Sequence, residues 1–226
     1  MFLPLLVGTC LLIHTPSWYH PPQIAPEDRQ AVRNNLVAAE QAFTENVRGP
    51  DGPFTYHLYE KDVNRWISMR REIYPLIDQL APPLLDEPFV VFGDGLITIA
   101  GQYRAVLTRV VISLDIEARF EVGEIILTAR TIRCGSIPLP MSFAEKDLSR
   151  PLDRRPDKVW PGSPAMSGDL MSGFRVSADA WWKNGGIDYR VLGFRVEPGI
   201  ISLDIKPLGR HIPARRNTQT SPLEED

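Results

Sequence analysis

The chain has 226 residues and a mass of 25.5 kDa, with 43% hydrophobic and 23% charged residues, which suffices for one domain with an ordinary core. Its 25 basic and 28 acidic side chains give a net charge of −3. That balance argues against a nucleic-acid-binding protein, because such proteins carry a basic excess. Two cysteines, Cys10 and Cys134, are too few for a disulfide framework or a zinc site.

The first segment, residues 1–20, is interpreted as a hydrophobic anchor or signal segment. Residues 2–13 form an almost unbroken apolar run, but as a helix they span only about 18 Å of the roughly 30 Å hydrocarbon layer. Three interpretations stay open: a signal anchor with Trp18 and Tyr19 at the membrane interface, a cleaved signal, and a buried hydrophobic arm. We expect the first, and therefore a membrane-anchored domain facing the periplasm or the cell exterior.

Residues 21–53 read as a connector followed by an amphipathic helix. Pro26, Glu27 and Asp28 are typical of a helix start, because proline fits the first turn and acids favour the positive end of the helix dipole. Apolar side chains then recur at spacings of three and four and predict one buried stripe: Val32, Leu36, Ala39, Phe43 and Val47.

The α+β domain is predicted over residues 54–206. Residues 54–59 alternate like a strand, and a second amphipathic helix begins near Glu60. Its inward-facing residues are predicted to be Val63, Trp66, Ile67, Ile73 and Ile77. Pro75 is expected to kink or end this helix because it removes a backbone donor.

Strands dominate residues 88–134. The clearest is 112–122, where the even positions are predicted to be buried and the odd positions to face water: Ile112, Leu114, Ile116, Ala118, Phe120 and Val122 against Ser113, Asp115, Glu117, Arg119 and Glu121. Strands 96–104 and 124–133 flank it through glycine turns. The pattern predicts a curved, mostly antiparallel meander sheet packed against the amino-terminal helices.

The carboxyl-terminal part contains a proline-rich insert at 138–164, two more strands at 187–196 and 200–205, and a tail at 207–226 that is expected to be disordered. One sequence pattern recurs within the chain. Residues 92–99 (FGDGLITI) and 196–203 (VEPGIISL) share a pattern, and 120–127 (FEVGEIIL) is a looser copy. Either every hairpin of a sheet needs such a turn, or a hairpin unit is duplicated.

Catalytic and metal-binding signatures are weak. His57 is expected to be a surface histidine, no residue spacing suits a metal or a cofactor, and no nucleophile motif is complete. Cys134 is interpreted as a buried, inert thiol. Asp115 and Glu117 project from one strand face, as a glycan hydrolase requires of paired carboxylates, but the row continues with Arg119 like an ordinary solvated face.

Tryptophans offer one further hint. Trp181 and Trp182 adjoin a glycine-containing loop, and neighbours on a strand face opposite sides, so one of them is expected to be exposed. They are the predicted interaction surface, for a membrane, a partner or a glycan; the alternative is that they cap the end of the sheet.

Three stretches carry a resemblance to a known family: residues 58–67 (LYEKDVNRWI), 92–99 (FGDGLITI) and 134–140 (CGSIPLP). Together they resemble the YpmS-like family of bacterial membrane-anchored domains of unassigned activity, over about residues 54–140. The resemblance implies an anchored, extracytoplasmic α+β domain. Some related folds hold lipid between a curved sheet and a long helix, and no catalytic residue carries over.

Three functions therefore compete. The first is a non-enzymatic domain that binds lipid or acyl chains in an apolar groove between sheet and helix, lined by Val63, Trp66, Ile67, Ile112, Leu114 and Ile116. The second is a protein–protein interaction domain of an envelope complex, which uses the loop tryptophans and the tail. The third and least favoured is a glycan-acting hydrolase that uses Asp115 and Glu117.

Overall fold

The computed structural model describes residues 14–49, 52–73, 85–104, 108–148, 165–182, 184 and 186–210. These residues form helices and antiparallel sheets, which confirms the predicted α+β class. The strands divide between two sheets, whereas one sheet was expected. The predicted anchor run 2–13, Pro75, the insert residues 149–164 and the tail residues 211–226 lie outside the described residues.

The first helix is confirmed. After a 3₁₀ turn at Pro26–Asp28, α1 (Arg29–Arg48) buries four residues of the predicted stripe: Val32, Leu36, Phe43 and Val47. The second helix is interrupted earlier than predicted, because α2 (Glu60–Ser68) leaves helical geometry at the buried Met69, and α3 (Arg70–Ile73) follows as far as the described residues extend. Among the described residues, no helix has both the length and the apolar character needed to cross a bilayer.

The strands occupy two antiparallel sheets. Sheet A has the order β1 (Phe54–Tyr59), β11 (Ile200–Arg210), β10 (Ile187–Glu197) and β9 (Asp179–Trp182). Sheet B has the order β2 (Leu85–Phe92), β3 (Leu96–Arg104), β4 (Arg109–Glu121), β5 (Glu124–Cys134), β8 (Phe174–Ser177) and β7 (Met166–Ser167), with β6 (Ile137–Leu139) also paired to β5. The predicted meander is present as β2 to β5.

Two predicted boundaries are wrong. The last strand continues to Arg210, so residues 207–210 belong to sheet A through pairs such as Tyr189 with Pro207. The beginning of the predicted insert is also regular, because it contains β6, a 3₁₀ turn at Met141–Phe143 and α4 (Glu145–Leu148). Both segments are rich in proline and charged residues, so the sequence pattern did not reveal their backbone pairing.

The first two copies of the recurring sequence pattern form turns that meet where the sheets join. The amide of Gly95 donates to the carbonyl of Val196 at 2.9 Å, and the amide of Gly199 donates to the carbonyl of Phe92 at 3.0 Å. Phe92 and Val196 hold the same place in the two copies, as do Gly95 and Gly199, so the two bonds are reciprocal. The turns are therefore related by an approximate two-fold axis.

The same relation extends over three strands on each side. We define the first unit as β2, β3 and β4, and the second unit as β10, β11 and β1. Corresponding cross-strand pairs include Phe92 with Ile97 against Val196 with Ile201, and Leu96 with Glu117 against Ile200 with Tyr59. Beyond the corresponding pairs Phe89–Ala100 and Gly193–Asp204, both β2 and β10 carry one extra residue as a bulge.

The third copy is an ordinary hairpin of sheet B. Val122 and Gly123 both have positive φ, 49° and 77°, whereas in the first two turns only the second central residue, Gly95 or Gly199, does so. Positive φ at both central residues, as in the third copy, is typical of a type I′ turn. Positive φ at the second central residue alone, as in the first two copies, is typical of a type II turn. The two related turns are thus distinguished from the third by backbone geometry as well as by position.

The main core lies between the two units. Val90, Phe92, Ala118, Val196 and Ile201 form one buried cluster, and Val63 and Ile67 of α2 pack against it. A second cluster lies below α1, where the Phe43 ring contacts four aromatic rings in edge-on geometry: Phe54, Tyr56, Trp182 and Tyr189. Helix α1 therefore covers the inner face of sheet A.

The amino-terminal arm, residues 14–20, covers part of the face of sheet B that points away from the main core. Tyr19 is 5% exposed, packs with Phe89, Ala100 and Val111, and donates its hydroxyl to the Glu87 carbonyl at 2.5 Å. The prediction of Trp18 and Tyr19 at a membrane interface is therefore wrong for Tyr19. The three interpretations of the apolar run 2–13 stay predictions, because that run lies outside the described residues.

The buried side of β4 also differs from the prediction. Ser113 and Asp115, predicted to face water, are only 1% and 8% exposed, while Ile112 and Leu114 are half-buried. Ile116 and Ala118 are buried as predicted. The single wet face predicted for this strand is wrong, because different elements cover the two ends of the strand from opposite sides.

Candidate functional site

The helix side of the predicted lipid groove is filled by the chain's own side chains. Val63 and Ile67 rest directly on the cluster that contains Val90 and Phe92. Trp66 is half-buried, and its Nε1 donates to Oδ1 of Asn35 in α1 at 3.1 Å. These contacts join α2 to the sheets and to α1.

The strand side of that groove is divided. Ile116 is buried, whereas Ile112 and Leu114 are half-buried farther along β4, toward the end opposite the α2 contact. The six residues are therefore not gathered around one opening. Lipid binding there stays a prediction, and the packing of α2 on the sheets argues against it.

Helix α2 has another role that sequence reasoning missed. The side-chain amide of Asn64 donates to the Val90 carbonyl and accepts from the Val90 amide, both at 2.8 Å, and Oε2 of Glu60 accepts from the Phe92 amide at 2.6 Å. These are the bonds that a neighbouring strand would make. The motif Glu60–Asn64 therefore seals the outer edge of β2, where Asn64 is 3% exposed.

The paired carboxylates of β4 do share a concave surface, a depression of about 620 Å³. Asp115 accepts from Thr98 at 2.9 Å and pairs with Arg133 at 2.5 Å. Glu117 pairs with both Arg119 and Arg130. We call these five charged residues the carboxylate face: Asp115, Glu117, Arg119, Arg130 and Arg133.

Arginine pairing determines what the carboxylate face can do. Hydrogen bonds from Arg119 and Arg130 lower the pKa of Glu117, so this group is ionised at neutral pH. A glycosidase general acid needs the opposite shift, because it must hold a proton near neutral pH. The arrangement suits recognition of a charged partner rather than proton transfer.

The corresponding surface of the second unit carries a serine–histidine contact. Nδ1 of His57 lies 3.1 Å from Oγ of Ser202, and Asp204 is held by Arg195 at 2.7 Å and by Thr55 at 2.7 Å. These bonds lower the pKa of Asp204. Ser202 is 3% exposed, which leaves its hydroxyl inaccessible to a substrate. The contact holds neighbouring strands together, and His57 is exposed as expected.

The tryptophan pair occupies the edge strand β9 rather than a loop. Trp182 packs on Phe43 and donates to Oγ1 of Thr44 at 2.8 Å, which fixes it beneath α1. Trp181 points to the other side of the strand and is also half-buried. The expectation that one ring is exposed is therefore wrong. A role of Trp181 and Trp182 in an interaction surface stays a prediction.

Other reactive groups give little chemistry. Cys134 is half-buried, and burial raises the pKa of its thiol, which favours the protonated and less nucleophilic form. Within the described ranges, no group of three histidine, cysteine or acidic side chains is placed to hold a metal ion.

Comparisons with known proteins do not identify the chain. No protein-family model, no curated protein and no solved structure matches it. The resemblance to the YpmS-like family stays a prediction, and any function must be argued from the residues themselves.

Proposed function

We propose that this chain is a non-catalytic interaction domain, held at the outer surface of a membrane by its amino-terminal apolar segment, where it binds a protein of the cell envelope. The observation that carries the proposal is the packing of Val63 and Ile67 on the core cluster. Apolar side chains occupy the place where an acyl chain would lie, so recognition falls to the surface.

Two properties of the carboxylate face support binding rather than catalysis. The carboxylate face presents three arginines around two carboxylates, a pattern that complements a partner of mixed charge. Hydrogen bonds from Arg119 and Arg130 stabilise Glu117 as an anion, which favours a lasting ion pair over proton exchange.

The arm supports a tethered arrangement. Tyr19 lies six residues after the apolar run and is anchored in sheet B by burial and by its bond to Glu87. A segment inserted in a membrane at 2–13 would therefore be joined to the domain by a short, fixed connection. The domain would then present its surfaces to a partner at a defined orientation.

The test uses the full chain in the cells that produce it. A photoreactive amino acid is placed at Arg119 on the carboxylate face, at Trp181, or at Phe143, an exposed position on neither surface. We expect a discrete protein adduct from Arg119 or Trp181 and none from Phe143, and we expect deletion of residues 2–13 to release the chain from the membrane fraction.

Lipid analysis provides the opposing outcome. Mass spectrometry of the protein extracted under native conditions is expected to find no lipid at one copy per chain. A stoichiometric lipid, together with the absence of protein adducts, would replace this proposal with acyl-chain binding.

A further inference from the structure

We propose that the free edge of β1 is a docking site for an extended segment of the partner protein, which adds to sheet A as an antiparallel strand. This inference rests on the proposed interaction function and names the site and form of the contact. It is based on a difference between the outer edges of two strands, β2 and β1.

The backbone direction of β1 is fixed by one bond. The amide of Glu60 donates to the Gly199 carbonyl at 2.9 Å, so this group points toward β11. Backbone groups alternate in direction along a strand, so Leu58 and Tyr56 also point toward β11, and Thr55, His57 and Tyr59 point away from it. All three of these residues are exposed.

These outward groups form an open hydrogen-bonding edge. Among the described residues, no hydrogen bond reaches the backbone amides of Thr55, His57 and Tyr59 or the carbonyls of Thr55 and His57, whereas the Tyr59 carbonyl belongs to the first turn of α2. The side chains of α2 that seal β2, Glu60 and Asn64, are directed to the other sheet. An unsealed edge is a template for strand addition, and proteins usually protect such edges.

The first unit shows which element occupies this position when it is filled. Strand β4 corresponds to β1, and its outer edge is paired with β5 in antiparallel register. The β4 residues that correspond to β1 are Ile112–Glu117, and they pair with residues 128–134 of β5. The second unit has no strand in the equivalent place among the described residues.

The template also predicts the chemistry of the occupant. On β5, Ala129 and Ile132 face the core side, while Thr128, Thr131 and Arg133 share the carboxylate side. On β1, the core side carries Phe54, Tyr56 and Leu58, and the outer side carries Thr55, His57 and Tyr59. The partner segment should therefore alternate, with small or apolar residues toward α1 and polar residues outward.

The test uses a peptide of residues 126–134 with Cys134 replaced by serine, the strand that fills the equivalent edge. Nuclear magnetic resonance of the full chain is expected to show shifted and exchange-protected amides at Thr55, His57 and Tyr59, with a Kd of about 1 mM or tighter. The inward amides of Tyr56 and Leu58 should not gain protection.

Two variants at one position give a matched comparison. His57→Ala keeps the outward amide and should bind the peptide as the parent does, whereas His57→Pro removes that amide and should weaken binding at least tenfold. Proline is tolerated on the free side of an edge strand, and the folded state of each variant is checked by circular dichroism. If His57→Pro does not fold, the amide protection pattern of the parent chain decides.

Three results would overturn the inference: no change at the three amides, equal binding to His57→Pro, or a dimer of the chain in sedimentation that His57→Pro abolishes. The last result would assign the edge to a second copy. A cellular adduct from Arg119 or Trp181 that survives His57→Pro would leave the interaction function intact and remove only strand addition.

Discussion

The two units share a backbone plan but differ in one row of side chains. In the first unit the row is Phe89 beside Ala100, and in the second it is Gly193 beside Asp204. The apolar row is covered by Tyr19, while the polar row is filled by the Asp204 carboxylate, whose Oδ2 would lie 2.7 Å from a Cβ at position 193. A common strand geometry therefore supports an apolar contact in one unit and an ion-paired surface in the other.

The edges show a second difference. The first unit is closed on both sides, by β5 at β4 and by the side chains of Glu60 and Asn64 at β2. The second unit is closed by β9 at β10, and no strand among the described residues pairs with the outer edge of β1. Equivalent strands thus become interior strands or edge strands according to the element that comes next in the chain. Strand β4 is followed by its hairpin partner β5, whereas β1 is followed by helix α2.

The largest effect is expected from opening the sealed edge. Asn64→Leu removes both bonds to Val90 and leaves a buried amide and carbonyl unpaired, so we expect the free energy of unfolding to fall by about 2–4 kcal/mol. Urea denaturation measures the change. Asn34→Leu, on the exposed side of α1, is the control and should change stability by less than about 0.5 kcal/mol. Equal losses in the two variants would contradict the role assigned to Asn64.

The two related turns, at Gly95 and Gly199, should respond alike to substitution of their glycines. Gly95 and Gly199 have φ of 65° and 79°, and a Cβ at either would meet no atom within 4 Å, so the cost of alanine is conformational. We expect Gly95→Ala and Gly199→Ala each to lower stability by about 1–2 kcal/mol in thermal denaturation. Gly93→Ala, where φ is not positive, should cost clearly less. A large difference between Gly95 and Gly199 would break the proposed equivalence.

The burial of Tyr19 against Phe89 and Ala100 makes the free energy of unfolding depend on pH. Burial, followed by the negative charge of Glu87, raises the pKa of Tyr19, so the folded chain keeps the phenol proton at a pH where the unfolded chain releases it. This contribution to stability is complete below about pH 10 and is lost as the pH rises further. Tyr19→Phe should cost about 1 kcal/mol near neutral pH and reduce the alkaline loss.

Denaturation midpoints of Tyr19→Phe and the parent chain at pH 8 and above pH 10 measure this effect. Burial also raises the pKa values of Tyr56 and Tyr189, so part of the alkaline loss should persist. An unchanged pH dependence in Tyr19→Phe would show that the arm detaches from sheet B before its phenol ionises.

The smallest effects have opposite signs in the two units. Ser113 faces Ala100 across the strands, and its buried hydroxyl has no hydrogen-bond partner among the described residues. At the corresponding place, Thr55 donates to Asp204. We expect Ser113→Ala to raise the free energy of unfolding by up to about 1 kcal/mol and Thr55→Ala to lower it by about 0.5–1 kcal/mol. Calorimetry distinguishes the two signs, and a loss of stability in both would contradict the comparison.

Sequence patterns predicted local features and failed where distant segments meet. Alternation predicted β4, and spacing predicted the buried stripe of α1, because both depend on neighbours within a few residues. The burial of Val111 on the side of β4 that was predicted to face water involves Tyr19, far away along the chain. The seal by Asn64 depends on an amide meeting the edge of another strand, and periodicity contains no information about that partner.

The candidate sites followed the same rule. Asp115 and Glu117 were correctly placed on one face, but the arginines of β5 that neutralise them come from a bulged register that alternation does not reveal. The open edge of β1 was not predicted, because only the completed pairing shows which side of a strand stays free.

Strand β1 is made early in synthesis, yet its only pairing partner in the described chain, β11, ends at Arg210. Until that last strand has left the ribosome, the nascent chain carries Phe54, Tyr56 and Leu58 on an unpaired segment. Sheet A can therefore be completed only after β11 has been synthesised and has left the ribosome, and pairing over so long a separation is slow. A chain bound for export would remain translocation-competent during that interval, because its first strand has nothing yet to join.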